Sequence, residues 1–200
     1  DVKIETISLK RALKEQFSEL EKTANNATPV ISWQGEDFEI DVSKEHNGYS
    51  IDYLDIIGQI TENLEKLQNN SINISATPTL ATIKYQEVAD KTQLVSQVLS
   101  NDAPELVYQN ATWSMSKKAL SEMLEFQKNK DSEIIVGADF EKWNNWMEKY
   151  VADQINIESA DASIEFSGNR ITKFIPHQNG KAINLNETYK NFNLNLAVTT

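Results

Sequence analysis

Residues 43–52 read "SKEHNGYSID" and residues 175–184 read "IPHQNGKAIN". Both carry a histidine shortly ahead of Asn-Gly, then two residues, then Ile followed by Asp or Asn. The chain has 200 residues with only six glycines and two histidines, yet it uses both types twice in one pattern. Asn47-Gly48 and Asn179-Gly180 predict tight turns, because Gly tolerates positive φ and Asn does so better than most residues. The Ile beyond each turn, Ile51 or Ile183, predicts an anchor in the core. Asp52 or Asn184 then predicts the start of a helix.

Working outward from the first stretch, the spacing predicts a helix over 8–21 that buries Leu9, Ala12, Leu13, Phe17 and Leu20, with Ser8 as N-cap. "TPVISWQGEDFEIDV" predicts two strands around Gly35, with Phe38, Ile40 and Val42 half-buried by alternation. A helix is predicted over 53–67 with Leu54, Ile57, Ile60, Leu64 and Leu67 inward, then a short strand at 72–77 that Pro78 ends. The same order recurs around the second stretch. Asp139 caps a helix burying Phe140, Trp143, Met147, Tyr150 and Val151, two strands flank Gly168, a short helix covers 186–192, and "LNLAVT" closes as a strand. Trp33 and Phe166 each stand two residues before the hairpin glycine. The order helix, hairpin, turn, helix, strand is therefore an internal repeat.

Between the copies lie a predicted helix at 84–99 and a strand at "ELVYQ". "WSMSKKALSEMLEF" then predicts a strand running into a helix that buries Ala119, Leu120, Met123 and Leu124, and another strand follows at 132–138. The fold class is α+β, with repeated helix–hairpin–helix–strand units and short, mostly antiparallel sheets packed by helices.

Composition narrows the function. A net charge of −11 argues against nucleic acid and anionic membrane surfaces as partners. No apolar run approaches the roughly 18 residues that a membrane span requires, so no membrane insertion of this segment is expected. Cysteine is absent, which removes disulfides, zinc–thiolate sites and a thiol nucleophile from this chain.

The stretches "TIKYQEVADKTQLVSQVLSNDAPELVYQNATWSMSKKALSEMLEF", "IIVGADFEKWNNWMEKYVADQI" and "DASIEFSGNRITKFIPHQNGKAINLNETY" resemble the peptidoglycan-binding domain of VanW-like proteins. The same domain precedes the catalytic domain of some L,D-transpeptidases. On this resemblance residues 84–200 form one nearly complete copy, and 1–83 form the C-terminal half of a preceding one. Asn184 departs from the family pattern, where Asp is usual. The resemblance implies a non-catalytic, extracytoplasmic module of the bacterial cell surface that binds or positions peptidoglycan. It also implies adjacent domains in a longer chain and an anchoring segment ahead of Asp1. The alternative is an interaction or spacer module supporting a neighbouring L,D-transpeptidase or VanW-like domain without touching glycan. Cross-linking itself needs a catalytic cysteine that this chain lacks.

The residues offer few rivals to a binding role. Ser114-Met-Ser-Lys117 matches the Ser-x-x-Lys of penicillin-interacting serine enzymes, but no Lys-Thr-Gly accompanies it, and a serine capping the next helix explains it. His46 and His177 lack a clustered third ligand, so no metal site is expected; their shared place before Asn-Gly points to service of the turn. No catalytic residue and no cofactor are expected. Flat sugar faces stack on aromatic rings, which makes Trp33, Trp113 and Tyr49 the candidate ligand-binding residues. Trp143 and Trp146 sit on a helix whose inward stripe already uses Trp143, so both are read as core. Glycan binding predicts exposed Trp or Tyr lining a groove; a spacer predicts all four Trp buried.

Overall fold

The computed structural model describes residues 5–102, 104–168 and 170–196. In chain order its elements are α1 (Thr6–Phe17), β1 (Pro29–Gln34), β2 (Asp37–Val42), β3 (Gly48–Ile51), α2 (Tyr53–Glu65), β4 (Ala76–Thr79), α3 (Tyr85–Val88), α4 (Thr92–Ser100) and β5 (Glu105–Tyr108). They continue with β6 (Ala111–Ser114), α5 (Lys117–Met123), β7 (Leu124–Lys128), β8 (Ile134–Ala138), α6 (Phe140–Met147), α7 (Asp153–Ile155), β9 (Ser163–Ser167), β10 (Arg170–Ile175) and α8 (Leu185–Leu196). The strands pair consecutively, β3 with β4 across the intervening α2, as five short antiparallel two-stranded sheets packed with helices. The expected α+β class is what the chain adopts. Contacts divide it into two compact units: residues up to Thr28 with Val42–Ala89, and Pro29–Asp41 with Asp90 onward.

In the first unit, Leu13 and Phe17 of α1 pack with Ile60 and Ile72 against Ile51, Tyr53 and Ile56. α1 starts earlier than Ser8: its first turn closes from Leu9 N–H to the Glu5 carbonyl at 3.1 Å, with no side-chain cap, and Ala12 and Leu20 stay exposed. Asp52 caps α2, its Oδ1 accepting from Leu54 and Asp55 N–H at 3.0 and 3.1 Å. The buried stripe of α2 is Tyr53, Ile56 and Ile57, so Leu54, Leu64 and Leu67 point to solvent, contrary to expectation. The strand expected at 72–77 lies instead at Ala76–Thr79 and runs through Pro78, which sits opposite Tyr49 in this two-stranded ribbon. An edge position tolerates the missing N–H.

The paired Asn-Gly sequences are not positive-φ turns. Among the described glycines only the hairpin tips Gly35 and Gly168 take positive φ, at 70° and 61°. Around Gly48 the loop runs antiparallel to residues 22–25: Lys22 and Tyr49 exchange backbone bonds of 3.0 and 2.7 Å, and Asn25 and His46 exchange two of 2.8 Å. A Cβ at Gly48 would lie 2.0 Å from the Lys22 carbonyl oxygen, so glycine serves a close backbone crossing. The second stretch repeats the device, with Ile157 paired to Lys181 and Ala160 to Gln178. A Cβ at Gly180 would stand 3.0 Å from Ser159 N. The residue matched to His46 is thus Gln178 rather than His177, and each acts through its backbone, so the two histidines do not form a pair.

The helix expected at 84–99 is two helices, α3 in the first unit and α4 in the second, with a turn at Ala89 and Asp90 between them. α4 buries Leu94, Val95, Val98 and Leu99. Ser116 caps α5 by accepting from Ala119 N–H at 3.1 Å. The helix stops at Met123, and "LEFQK" becomes β7, with Leu124 and Phe126 buried opposite Ala138 and Val136. Tertiary pairing with β8 overrides the helical reading of that stretch. Asp139 caps α6 as expected, accepting from Lys142 N–H at 2.8 Å. Trp143, Met147 and Val151 are buried, while Phe140 and Tyr150 are about half exposed. α8 continues to Leu196, since Phe192 and Leu196 form its buried stripe; the strand expected at "LNLAVT" is helical through Leu196, and its remainder lies outside the described residues. A polar knot joins α8 to β7 and β8: Asn193 accepts from Ala138 N–H at 2.8 Å and donates to Gln127 Oε1 at 3.0 Å, while the Tyr189 hydroxyl donates to the Ala138 carbonyl at 2.5 Å.

Two outcomes follow from these contacts. Gly48→Ala must displace the 22–25 segment and costs about 1–3 kcal/mol in urea unfolding. Gly58→Ala, inside α2 with open space around it, adds about 0.5–1 kcal/mol. Glu125 sits beside the knot, where burial raises its pKa, partly offset by the 2.9 Å bond that Gln127 donates. A raised folded-state pKa means that stability is fullest below 4.5 and falls as pH rises through the folded value. Glu125→Gln therefore melts higher than the parent at pH 7, and the gap closes in acid.

Candidate functional site

The β5–β6 hairpin pairs Leu106 with Trp113 and Tyr108 with Ala111. Strand alternation puts Leu106, Tyr108 and Trp113 on one face. Facing them, the helical run from α6 through a π-helical stretch at Glu148–Ala152 to α7 offers Met147, Val151 and Ile155. Residues 181–184, with Thr188 of α8, complete a groove of about 310 Å³. Asn156 holds that segment by accepting from Ile183 N–H at 3.0 Å, and Asn184 caps α8 through Glu187 N–H at 3.2 Å.

The groove runs on past Tyr108 and Trp113 into a second hollow of about 370 Å³ edged by Gln109, Asn110 and Gln154. At the hairpin tip Gln109 takes φ 52°, a left-handed conformation unfavourable for a side-chain-bearing residue, and donates to the Tyr108 hydroxyl at 3.3 Å. The Lys181 ammonium lies 4.4 Å from the Tyr108 ring centroid, a cation–π contact. In a chain with 30 Asp and Glu against 19 Lys and Arg, the described lining of both hollows contains no carboxylate. The site is apolar and aromatic at its floor, carries amides at its rim, and holds one cation.

Residues 84–198 match the family described as "Putative peptidoglycan binding domain". The chain belongs to that family. The matched segment contains the whole groove, from Leu106 to Thr188, and leaves β1–β2 outside it. No curated protein and no solved structure matches the chain. No helix among the described residues is long and apolar enough to cross a membrane.

Of the three aromatic residues singled out from the sequence, Trp113 lines the groove within the matched segment. Trp33 lies elsewhere in the same unit, half-buried; its indole N–H donates to Ser121 Oγ at 2.9 Å and its ring packs 5.2 Å from Phe38. Tyr49 is exposed on β3 of the first unit. Tyr108 and Lys181 were not foreseen as site residues, because 73 positions separate them and Lys181 stands in a repeated stretch read as a turn. Ser114 and Lys117 turn to different partners: Ser114 Oγ bonds Glu105 at 3.3 Å, and Lys117 Nζ donates to the Ser100 carbonyl at 3.4 Å.

The Lys181–Tyr108 contact is partly solvated and is worth about 0.5–1 kcal/mol. Lys181→Met and Tyr108→Ala accordingly each lower unfolding stability by about 1 kcal/mol or less, which urea titration measures, and both leave the fold intact.

Proposed function

We propose that this chain is a non-catalytic module of a bacterial cell envelope that holds peptidoglycan in the groove between β5–β6 and the α6–α7 run. The observation that carries the reading is a carboxylate-free, aromatic-floored groove within the matched domain of a strongly acidic chain. Tyr108 and Trp113 supply flat faces for the apolar side of a sugar ring. Asn110, Gln109, Gln154 and Asn184 supply amide donors and acceptors for hydroxyl and N-acetyl groups. Lys181 supplies the one cation, suited to a lactyl or stem-peptide carboxylate. Pockets of this kind combine apolar lining with a few placed polar groups.

In this reading residues 84–200 are one nearly complete copy of the domain and 1–83 the second half of a preceding one. The module works outside the cytoplasm, where its ligand is, and positions an adjacent L,D-transpeptidase or VanW-like domain of a longer chain. Its net charge opposes binding to walls rich in anionic polymer, and salt relieves that opposition.

Co-sedimentation of the purified chain with insoluble peptidoglycan freed of teichoic acids, at low and moderate salt, tests the assignment. The parent pellets saturably, and Trp113→Ala binds about tenfold more weakly, as expected of an aromatic anchor worth more than 1 kcal/mol. Lys181→Met weakens binding in a salt-dependent way, and Tyr49→Ala does not. No pelleting of the parent under any condition sinks the reading and leaves a spacer module.

A further inference from the structure

Two hairpins of this chain are built alike and treated differently. In β1–β2, Trp33 stands two residues before Gly35 and Phe38 three after, both glycine and flanking strands adopting the tip geometry already described. In β9–β10, Phe166 stands two before Gly168 and Ile171 three after. Ile31 and Ile164 each lie four before their glycine. Ile40 lies five after Gly35; its counterpart Phe174 lies six after Gly168, because a bulge between Ile171 and Lys173 inserts one residue and restores the face.

The inner face of β1–β2 is covered. Its strand β1 packs on α5 and β7, and Trp33 donates into Ser121 of α5. The same face of β9–β10 is bare, with Phe166 65%, Ile171 62%, Phe174 61% and Ile164 47% exposed. Register puts all four on one side, since Phe166 opposes Ile171 and Ile164 opposes Phe174. The other side is polar apart from Ile175 and holds the 3.3 Å Lys173–Glu165 ion pair. A two-stranded hairpin is marginal by itself, and a contiguous apolar face in water marks a contact surface.

We propose that the Ile164–Phe166–Ile171–Phe174 face docks onto a further domain of this same family, which receives it on a surface equivalent to the α5–β7 one that holds β1–β2. The seated hairpin shows what such a face fits: the side of a short helix beside the strand that follows it, and Phe166, which has no donor where Trp33 has its indole N–H, needs no acceptor there. A second copy of the present chain is not the occupant, because its α5–β7 surface is already filled by its own β1–β2. The partner is a domain with that surface open, arranged in tandem. Docking of this kind is head-to-tail, so it propagates rather than closes. It does not depend on what the groove binds.

Opening the receiving surface in the full chain tests this. The parent sediments as a monomer. Trp33→Ala/Phe38→Ala, which frees α5–β7 while leaving β9–β10 intact, forms concentration-dependent oligomers in sedimentation velocity. Adding Phe166→Ser/Phe174→Ser, changes confined to an exposed face, returns it to a monomer with unchanged circular dichroism. Should the double Ala variant lose its helical signal, Trp33→Ala alone, which removes the seated ring and its bond to Ser121 but keeps Phe38, takes its place as the open chain. A folded open chain that remains monomeric, or one whose association survives the two Ser changes, overturns the proposal.

Discussion

The burial of Trp143 is the constraint on which the second unit depends. Its ring is fully enclosed, with the rings of Tyr189 at 5.3 Å, Phe192 at 5.9 Å and Phe140 at 6.3 Å. The indole N–H has no partner among the described residues, which costs about 1–3 kcal/mol. Burying about 150–250 Å² of ring contributes about 4–6 kcal/mol at ~25 cal/mol/Å². Packing wins, and it fixes α6 against α8. The same helical run then presents Met147, Val151 and Ile155 to the groove, with the π-helical turn adjusting the phase between them.

The groove follows from that scaffold in two further ways. α8 is held to β7–β8 by the Asn193, Gln127 and Tyr189 knot, so the 181–184 segment that leads into it is held as well. Gly180 lets that segment run close against residues 157–160, which carries Lys181 to the Tyr108 ring. The chemistry of the site, aromatic faces with one cation and no carboxylate, thus rests on a backbone crossing and a half-buried polar cluster that lie outside the groove lining.

Much of the local structure was legible. The hairpins around Gly35 and Gly168 were readable from alternation and a central glycine. The caps Asp52 and Asp139, and a serine cap on α5 that the sequence left between Ser114 and Ser116, were readable because a side-chain oxygen at a helix start satisfies free N–H groups nearby in sequence. Trp143 was readable as core from its helical stripe. The errors share one cause. Met123 to Phe126 fits both helical and alternating periods, and β8 decides between them. Asn47-Gly48 has the composition of a turn, and the Lys22 carbonyl, far away in sequence, decides its actual role. Of the candidate site, Trp113 was legible as an aromatic at a strand end, but Tyr108 and Lys181 were not.

The sequence by itself determined what local physics determines: the helix starts capped by Asp52 and Asp139, the hairpin tips, the α+β class, the absence of thiol chemistry and the net acidity. Tertiary structure alone decided which aromatic lines a groove and which is used inside the fold. Trp33 and Trp113 look alike as strings, but the Ser121 hydroxyl takes the N–H of one, while the other faces Leu106 across a hairpin at the edge of open space. Periodicity reports on neighbours three or four residues away, whereas a binding groove is assembled by contacts that cross half the chain.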